Sequence, residues 1–222
     1  MEQKDSYGHR KLAIEELLEK KSQESGFKYV SLRLPDMMGP RDNTYRWWKY
    51  HMWTKLNQVL QPVDIPVHLQ GKPLSFVFTP DVARMIVQLI PITDDNLLNQ
   101  AYNLAFDEAP TLKDVVLHMG KFFGYDDIDF DETEEADILF GLPSVTRGPI
   151  DTSKAKRLLN WQPTDLQIAL RKTCRFYEQA EYNKKFRQIL DLVLDNLGVR
   201  GQYYRQFLEI HQQRATRKID EL

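Results

Sequence analysis

Proline and glycine cut this chain into short pieces, and that punctuation limits what it can fold into. Gly26, Gly124 and Gly198 each end a helical pattern, Pro35 closes an apolar run, Pro62 and Pro66 break the next stretch, and Pro91 stops a helix. Glycine supplies the left-handed turn that terminates helices, and proline cannot donate to a sheet ladder. No apolar run between these marks is long enough to span a bilayer. What remains is a series of short helices and shorter strands.

The pieces read in order as follows. Asp5 or Ser6 can cap a helix that starts near Tyr7 and carries Ala13, Leu17 and Leu18 on its apolar face. Residues 27–34 form a β-type run, and Met38-Gly39-Pro40-Arg41-Asp42 reads as a loop. Residues 44–60 form an aromatic-rich helix, with Tyr45, Trp48, Met52, Leu56 and Leu60 on one stripe. Leu74-Ser75-Phe76-Val77-Phe78 is a strand that runs into Thr79-Pro80-Asp81, where a hydroxyl cap, a first-turn proline and an acid mark a helix start. Residues 101–105 are a strand, and Thr111-Leu112-Lys113-Asp114 opens a capped helix. Residues 126–137 read as a solvated acidic loop in which Glu132, Glu134 and Glu135 have no paired role. Asp151-Thr152-Ser153 caps a short helix ending near Trp161, Asp165 opens a long one, and helical patterns follow at 183–197 and from Gln202 towards Ile219.

One spacing carries chemistry. In Tyr7-Gly8-His9-Arg10-Lys11 a phenol and an ammonium stand four residues apart, so a helix puts them on one face. An ammonium favours a neighbouring phenolate, and a phenol so placed can exchange a proton with an alcohol or carbonyl. The same spacing on a solvated helix also arises by chance.

Composition removes other classes. The formal net charge of the 222 residues is −2, which offers no global attraction for nucleic acid or an anionic membrane. Cys174 is the single cysteine, which excludes an intramolecular disulfide or a cysteine-built metal site and fits a reducing, cytoplasmic setting. His9, His51, His68, His118 and His211 are dispersed without ligand spacing, so no metal is expected. The polar N-terminus has no apolar signal segment. The final Lys218-Ile219-Asp220-Glu221-Leu222 is similar to an ER-retention tail, but Ile219 stands where a polar or basic residue belongs, so it reads as coincidence.

Five boxes in order resemble the extended short-chain dehydrogenase/reductase family, the NAD-dependent sugar epimerases and dehydratases. Tyr7-Gly8-x-x-Lys11 with Glu15 looks like that family's catalytic helix. Leu32-Arg33-Leu34-Pro35-Asp36-Met37-Met38-Gly39-Pro40-Arg41 is similar to its Arg-x-x-Asn-x-Tyr-Gly-Pro segment, and Phe76-Val77-Phe78-Thr79-Pro80-Asp81-Val82-Ala83 to its Phe-Val-x-Val-x-Asp-Val-Ala box. Ala101-Tyr102-Asn103-Leu104 with Thr111-Leu112, then Asp151-x-Ser153-Lys154-Ala155 through Leu158-Leu159-x-Trp161-x-Pro163, resemble its closing boxes.

The resemblance implies an α/β fold: the C-terminal part of a Rossmann-like epimerase/dehydratase domain with its substrate lobe over residues 1–177, then a helical extension over 178–222. It implies Tyr7 as acid/base, Lys11 on the nicotinamide ribose, and Pro35 and Asp36 near nicotinamide and substrate, with NAD or NADP as cofactor. The glycine-rich dinucleotide turn of the family's first half does not occur in this sequence, so the expectation is a fragment that binds no dinucleotide alone. Asp36 replaces the family's Asn, and Leu74 stands where an Arg often clamps a diphosphate. Both changes disfavour a nucleotide-sugar diphosphate, leaving a substrate of sugar type. The expected partner is a second copy or the missing half, with nucleic acid and membrane not expected.

Two other readings compete. Arg46-Trp47-Trp48-Lys49-Tyr50 mixes bases with stacking rings, as a single-stranded RNA binder would need, against a simple packing role for the rings. Residues 178–222 carry apolar faces that fit either an assembly module or a hairpin packed on the domain. A strand at 29–32 with one unpaired edge is expected, and with it an isolated chain that aggregates or binds a chaperone unless residues 178–222 fold back over the open face or a second chain supplies the missing sheet.

Overall fold

The computed structural model describes residues 6–57, 62–134, 148–199 and 204. The first helix, α1 (Ser6–Ser25), starts where the polar cap signal stands and ends at Gly26, whose φ of 71° is the left-handed stop. Leu12, Ile14 and Leu17 on α1 are exposed, so its apolar face is uncovered.

Three parallel strand pairs form the sheet elements. Strand β1 (Val30–Arg33) pairs with β5 (Gln100–Asn103), with Val30 opposite Gln100. Strand β2 (Asp36–Met38) pairs with β4 (Phe76–Phe78), and β3 (Val63–Pro66) with β6 (Phe130–Thr133). Among the described residues β1 has a partner on one edge only.

Three of these strands correct the sequence expectation. Asp36–Met38 lies inside a stretch read as the end of a strand and a loop, yet it pairs with β4. Pro62 and Pro66, breakers by residue type, bound a strand whose last residue is Pro66. The acidic 126–137 stretch is not wholly a loop, because 130–133 pairs with β3. Proline is tolerated at a strand end, where no ladder N–H is needed, and the acids of β6, Asp131 and Glu132, are both exposed.

Helix α2 (Arg46–Lys55) is shorter than the 44–60 expected, and Tyr45 at φ 59° caps it. Its aromatic rings off the predicted stripe, Trp47, Tyr50 and Trp53, are buried along with Trp48 and Met52. Residues from β4, α4 (Leu112–Phe123), α6 (Leu166–Glu181) and α7 (Arg187–Asn196) surround α2 in one core, so no ring-bearing face is left to water. The capping box on α4 forms as read, Thr111 against Asp114, and Gly124 ends the helix at φ 80°.

Helix α3 (Thr79–Leu89) begins directly on β4. Thr79 is its first residue rather than its cap, and its hydroxyl instead donates to the Met38 carbonyl at 3.0 Å. A Cβ on Gly39 would lie 3.0 Å from the Thr79 Oγ1, so only glycine lets the loop after β2 approach the start of α3 this closely. A second, smaller core joins Val77, Val82, Met85, Tyr102, Leu104 and Trp161 under α3 and α5 (Ser153–Leu159).

Residues 178–199 do not stand apart from this body. Helix α6 runs through residue 177 without a break, and Leu190, Val193, Leu194 and Tyr204 pack in the large core. The expected last helix, apart from Tyr204, and the terminal Ile-Asp-Glu-Leu lie outside the described residues.

Candidate active site

The phenol–ammonium pair forms on α1. Lys11 Nζ lies 5.3 Å from the centroid of the Tyr7 ring, and Tyr7 is 65% exposed. One turn further, Glu15 ties α1 to β1. Its carboxylate accepts from Ser31 Oγ at 2.7 Å and from Arg33 Nε at 2.9 Å, and Arg33 Nη2 adds a further short contact. The Arg33 hydrogen bond outweighs partial burial and holds the Glu15 carboxyl below its ordinary range. Glu15 thereby fixes the helix that carries Tyr7 and Lys11 against the strand that leads to Pro35.

Pro35 is buried between β1 and β2. Asp36 follows it with a side chain 1% exposed, and Arg46 Nη1 stands 2.8 Å from its Oδ1. Neutralising a buried carboxylate by a guanidinium is the arrangement such a group requires. Leu74 is fully buried, and its backbone N–H donates to the Pro110 carbonyl at 2.9 Å. The site residues thus fall into an exposed pair on α1 and three buried residues, Pro35 and Asp36 at the start of β2 and Leu74 before β4.

The remaining boxes act as clamps. Asp81, 1% exposed, accepts from the backbone N–H and the hydroxyl of Thr164 at 2.7 and 2.8 Å and meets Arg84 at 2.8 Å. Lys154 Nζ donates to the Ala101 carbonyl at 3.0 Å and lies over the Tyr102 ring. Trp161 Nε1 donates to the Ala105 carbonyl at 2.9 Å. These three contacts lock the closing box onto β5 and α3.

A buried charge cluster escaped sequence reasoning. His51 Nε2 lies 3.1 Å from Glu178 Oε1 and 3.5 Å from Glu181 Oε1. Lys55 Nζ stands 2.7 Å from Glu178 and 2.9 Å from Glu181, and the Tyr204 hydroxyl donates to Glu181 at 2.9 Å. Although burial opposes charging, the Cys174 sulfur and the Glu178 and Glu181 carboxylates beside it raise the His51 pKa to about 10. Likewise burial opposes ionising Glu178, but His51 and Lys55 push it down to about 2. The histidine and both carboxylates offer metal-ligand atoms within 4.8 Å of one another, but the Lys55 ammonium already supplies the cation between the acids. His51 and Glu178 are 127 positions apart in sequence, so no local spacing could reveal them.

The residues present do not fit a whole dinucleotide. A pyrophosphate needs several free backbone N–H groups at a helix start. Helix α3 starts on a parallel strand, as such a site would, but it opens Thr79-Pro80-Asp81. Proline removes one donor and Asp81 places a carboxylate in the first turn. No glycine-rich turn occurs in the sequence.

Residues 1–105 match the model of the NAD dependent epimerase/dehydratase family. No curated protein matches the chain. Among solved structures, UDP-glucose 4-epimerase from Thermotoga maritima with UDP-glucose is similar over 78% of this chain and 53% of its own, at 22% identity and a TM-score of 0.63. UDP-glucuronic acid 4-epimerase from Bacillus cereus, in complex with UDP-glucuronic acid and NAD, covers 78% and 52% at 23% identity and 0.61. The dTDP-glucose 4,6-dehydratase from Bacillus anthracis in complex with NAD covers 82% and 55% at 16% identity and 0.62. The chain therefore has a Rossmann-like epimerase/dehydratase fold in part and spans about half the length of the solved structures it resembles.

Proposed function

Since residues 1–105 match the model of the NAD dependent epimerase/dehydratase family, and structures similar to this chain are solved with NAD or NADPH, we propose that this chain is the proton-transferring half of such an oxidoreductase. The observation that carries this reading is the Lys11 ammonium 5.3 Å from the Tyr7 ring centre, on an exposed helix face that Glu15 anchors to β1. Tyr7 exchanges a proton with a hydroxyl or carbonyl oxygen of a sugar-type substrate. Lys11 stabilises the developing phenolate and reaches the nicotinamide ribose, with Pro35 and Asp36 behind the reacting group. The family's dinucleotide supplies hydride exchange when bound. Leu74, buried where the family places a clamping Arg, supports a substrate without a diphosphate.

The chain completes its cofactor site only with a dinucleotide-binding half or another chain. Supporting this, β1 has one unpaired edge among the described residues, and Leu12, Ile14 and Leu17 of α1 are exposed. Against β1 an open groove of about 550 Å³ is lined by Val30, Leu32, Ile86, Leu89 and Ile90. Uncovered apolar surface of this kind marks a packing site. A single buried thiol, Cys174, is consistent with a cytoplasmic setting. Among the described residues no helix is long and apolar enough to cross a membrane.

The test supplies a glycine-rich dinucleotide-binding half in trans and measures sugar-dependent reduction of NAD and NADP. Turnover that Tyr7→Phe abolishes while dinucleotide binding persists supports the proposal. Turnover unaffected by Tyr7→Phe refutes it. The assembly reading gains instead if the chain binds the supplied half without any turnover.

A further inference from the structure

We propose that the cavity between the 41–45 loop, α6 and the start of α7 is a binding site for a small aromatic carboxylate. It encloses about 170 Å³, close to the ~150 Å³ that accommodates a benzene ring. The rings of Tyr45, Trp48, Phe176, Tyr177 and Phe186 form most of its wall, and Trp48 stacks on Tyr177 at 5.2 Å. A flat apolar guest fits such a lining through offset or edge contacts.

Two residues of that wall carry a donor that lacks an acceptor. The Trp48 Nε1 and the Tyr177 hydroxyl are buried and have no hydrogen-bond partner among the described residues. Buried donors are nearly always paired, so each exception needs an explanation. Burial first, then the charge of Asp42, keeps the Tyr177 phenol protonated far above its ordinary range. The hydroxyl is therefore a fixed donor within the field of Asp42, which is itself a wall of the cavity.

The mouth supplies charge. Arg41 and Lys185 line it, and neither side chain has an ion pair or hydrogen bond among the described residues. Asp42, the acid beside them, is engaged: it accepts from the Thr44 N–H at 2.9 Å and from the Thr44 hydroxyl at 2.7 Å. The two cations therefore leave the mouth net positive, as an anion requires. The loop is also held in an unfavourable backbone shape. Arg41 and Tyr45 both have positive φ, at 67° and 59°, where neither residue type is at ease. Strain of this kind gathers at ligand clamps. A ring bearing one carboxylate meets every one of these demands: apolar faces for the aromatic wall, oxygens for the two donors, and a charge for Arg41 and Lys185.

Calorimetric titration of the full chain with benzoate tests the site, with benzamide as the uncharged ring and cyclohexanecarboxylate as the ringless anion. Saturable one-to-one binding of benzoate is expected, about tenfold or more tighter than either control. Arg41→Gln and Lys185→Gln, both on exposed side chains, should each weaken benzoate about tenfold with unchanged melting. Tyr177→Phe separates ligand from packing. It should weaken benzoate while leaving the melting temperature of the free chain unchanged or raised, because the lost hydroxyl had no partner. Absence of saturable binding overturns the proposal. So does equal binding of benzamide, or benzoate affinity indifferent to Arg41→Gln and Lys185→Gln.

Discussion

Arg46 stands 2.8 Å from Asp36, and the carboxylate is buried while the guanidinium is 17% exposed. The pair joins the first residue of β2 to the first residue of α2. It thus positions the loop between them, on which Gly39 and Arg41 lie. Arg46→Met leaves the Asp36 charge without its cation and is expected to cost about 3–5 kcal/mol. Arg46→Met with Asp36→Asn should recover most of that loss, as read by urea unfolding. An Arg46→Met variant as stable as the parent would show that the pair adds nothing.

The cluster of His51, Lys55, Glu178 and Glu181 sets a pH window. The folded Glu178 pKa is about 2 against an ordinary 4.5, so its contribution is complete above about 4.5 and is lost as pH falls towards 2. His51 is raised from 6.5 to about 10, so its contribution is complete below about 6.5 and is lost as pH rises towards 10. Their joint contribution is therefore greatest between about 4.5 and 6.5. Denaturant unfolding across the pH scale should show an alkaline decline that His51→Gln flattens and an acid decline that Glu178→Gln flattens.

Asp81 is expected to be a structural rather than a chemical carboxylate. Asp81→Ala leaves the Thr164 N–H and hydroxyl without their acceptor beside a buried gap, at a cost of about 1–3 kcal/mol. Thermal melting should show it, whereas any activity reconstituted with a dinucleotide-binding half should survive at temperatures where the variant is folded.

Tyr7 and Lys11 should behave in the opposite way. Tyr7 is largely exposed and Lys11, also exposed, lies over its ring, so Tyr7→Phe and Lys11→Met should each change stability by less than about 0.5 kcal/mol. A large loss of stability would mean that the pair is part of the packing and would weaken its catalytic reading.

Local signals settled where the chain turns and what α1 carries. The spacing of Tyr7 and Lys11, the stop at Gly26, the Thr111–Asp114 box and the Asp165 cap act within a few residues, so they are legible without knowing the fold. The ordered boxes also gave the fold family. Strands β2, β3 and β6 were not legible, because proline or glycine flanks the first two and acids fill the third, so only pairing with a distant segment makes them strands. Nothing in Phe130-Asp131-Glu132-Thr133 marks a strand until Val63–Pro66 lies beside it.

The aromatic helix shows the same division. Periodicity assigned Trp48 and Met52 to a packed stripe and left Trp47, Tyr50 and Trp53 open to a nucleic-acid reading. Packing from several sides buried them all, with Trp47 Nε1 donating to the Met37 carbonyl at 2.7 Å. The sequence by itself determined the stops at Gly26 and Gly124, the Thr111 and Asp165 caps, the Tyr7–Lys11 face and the family resemblance, since these depend on neighbours within a turn or on residue order. Only the tertiary structure decided the short strand pairs, the His51–Glu178 cluster and the cavity at Tyr177. Those depend on which distant side chains meet, and that is fixed by how whole elements pack around a shared core.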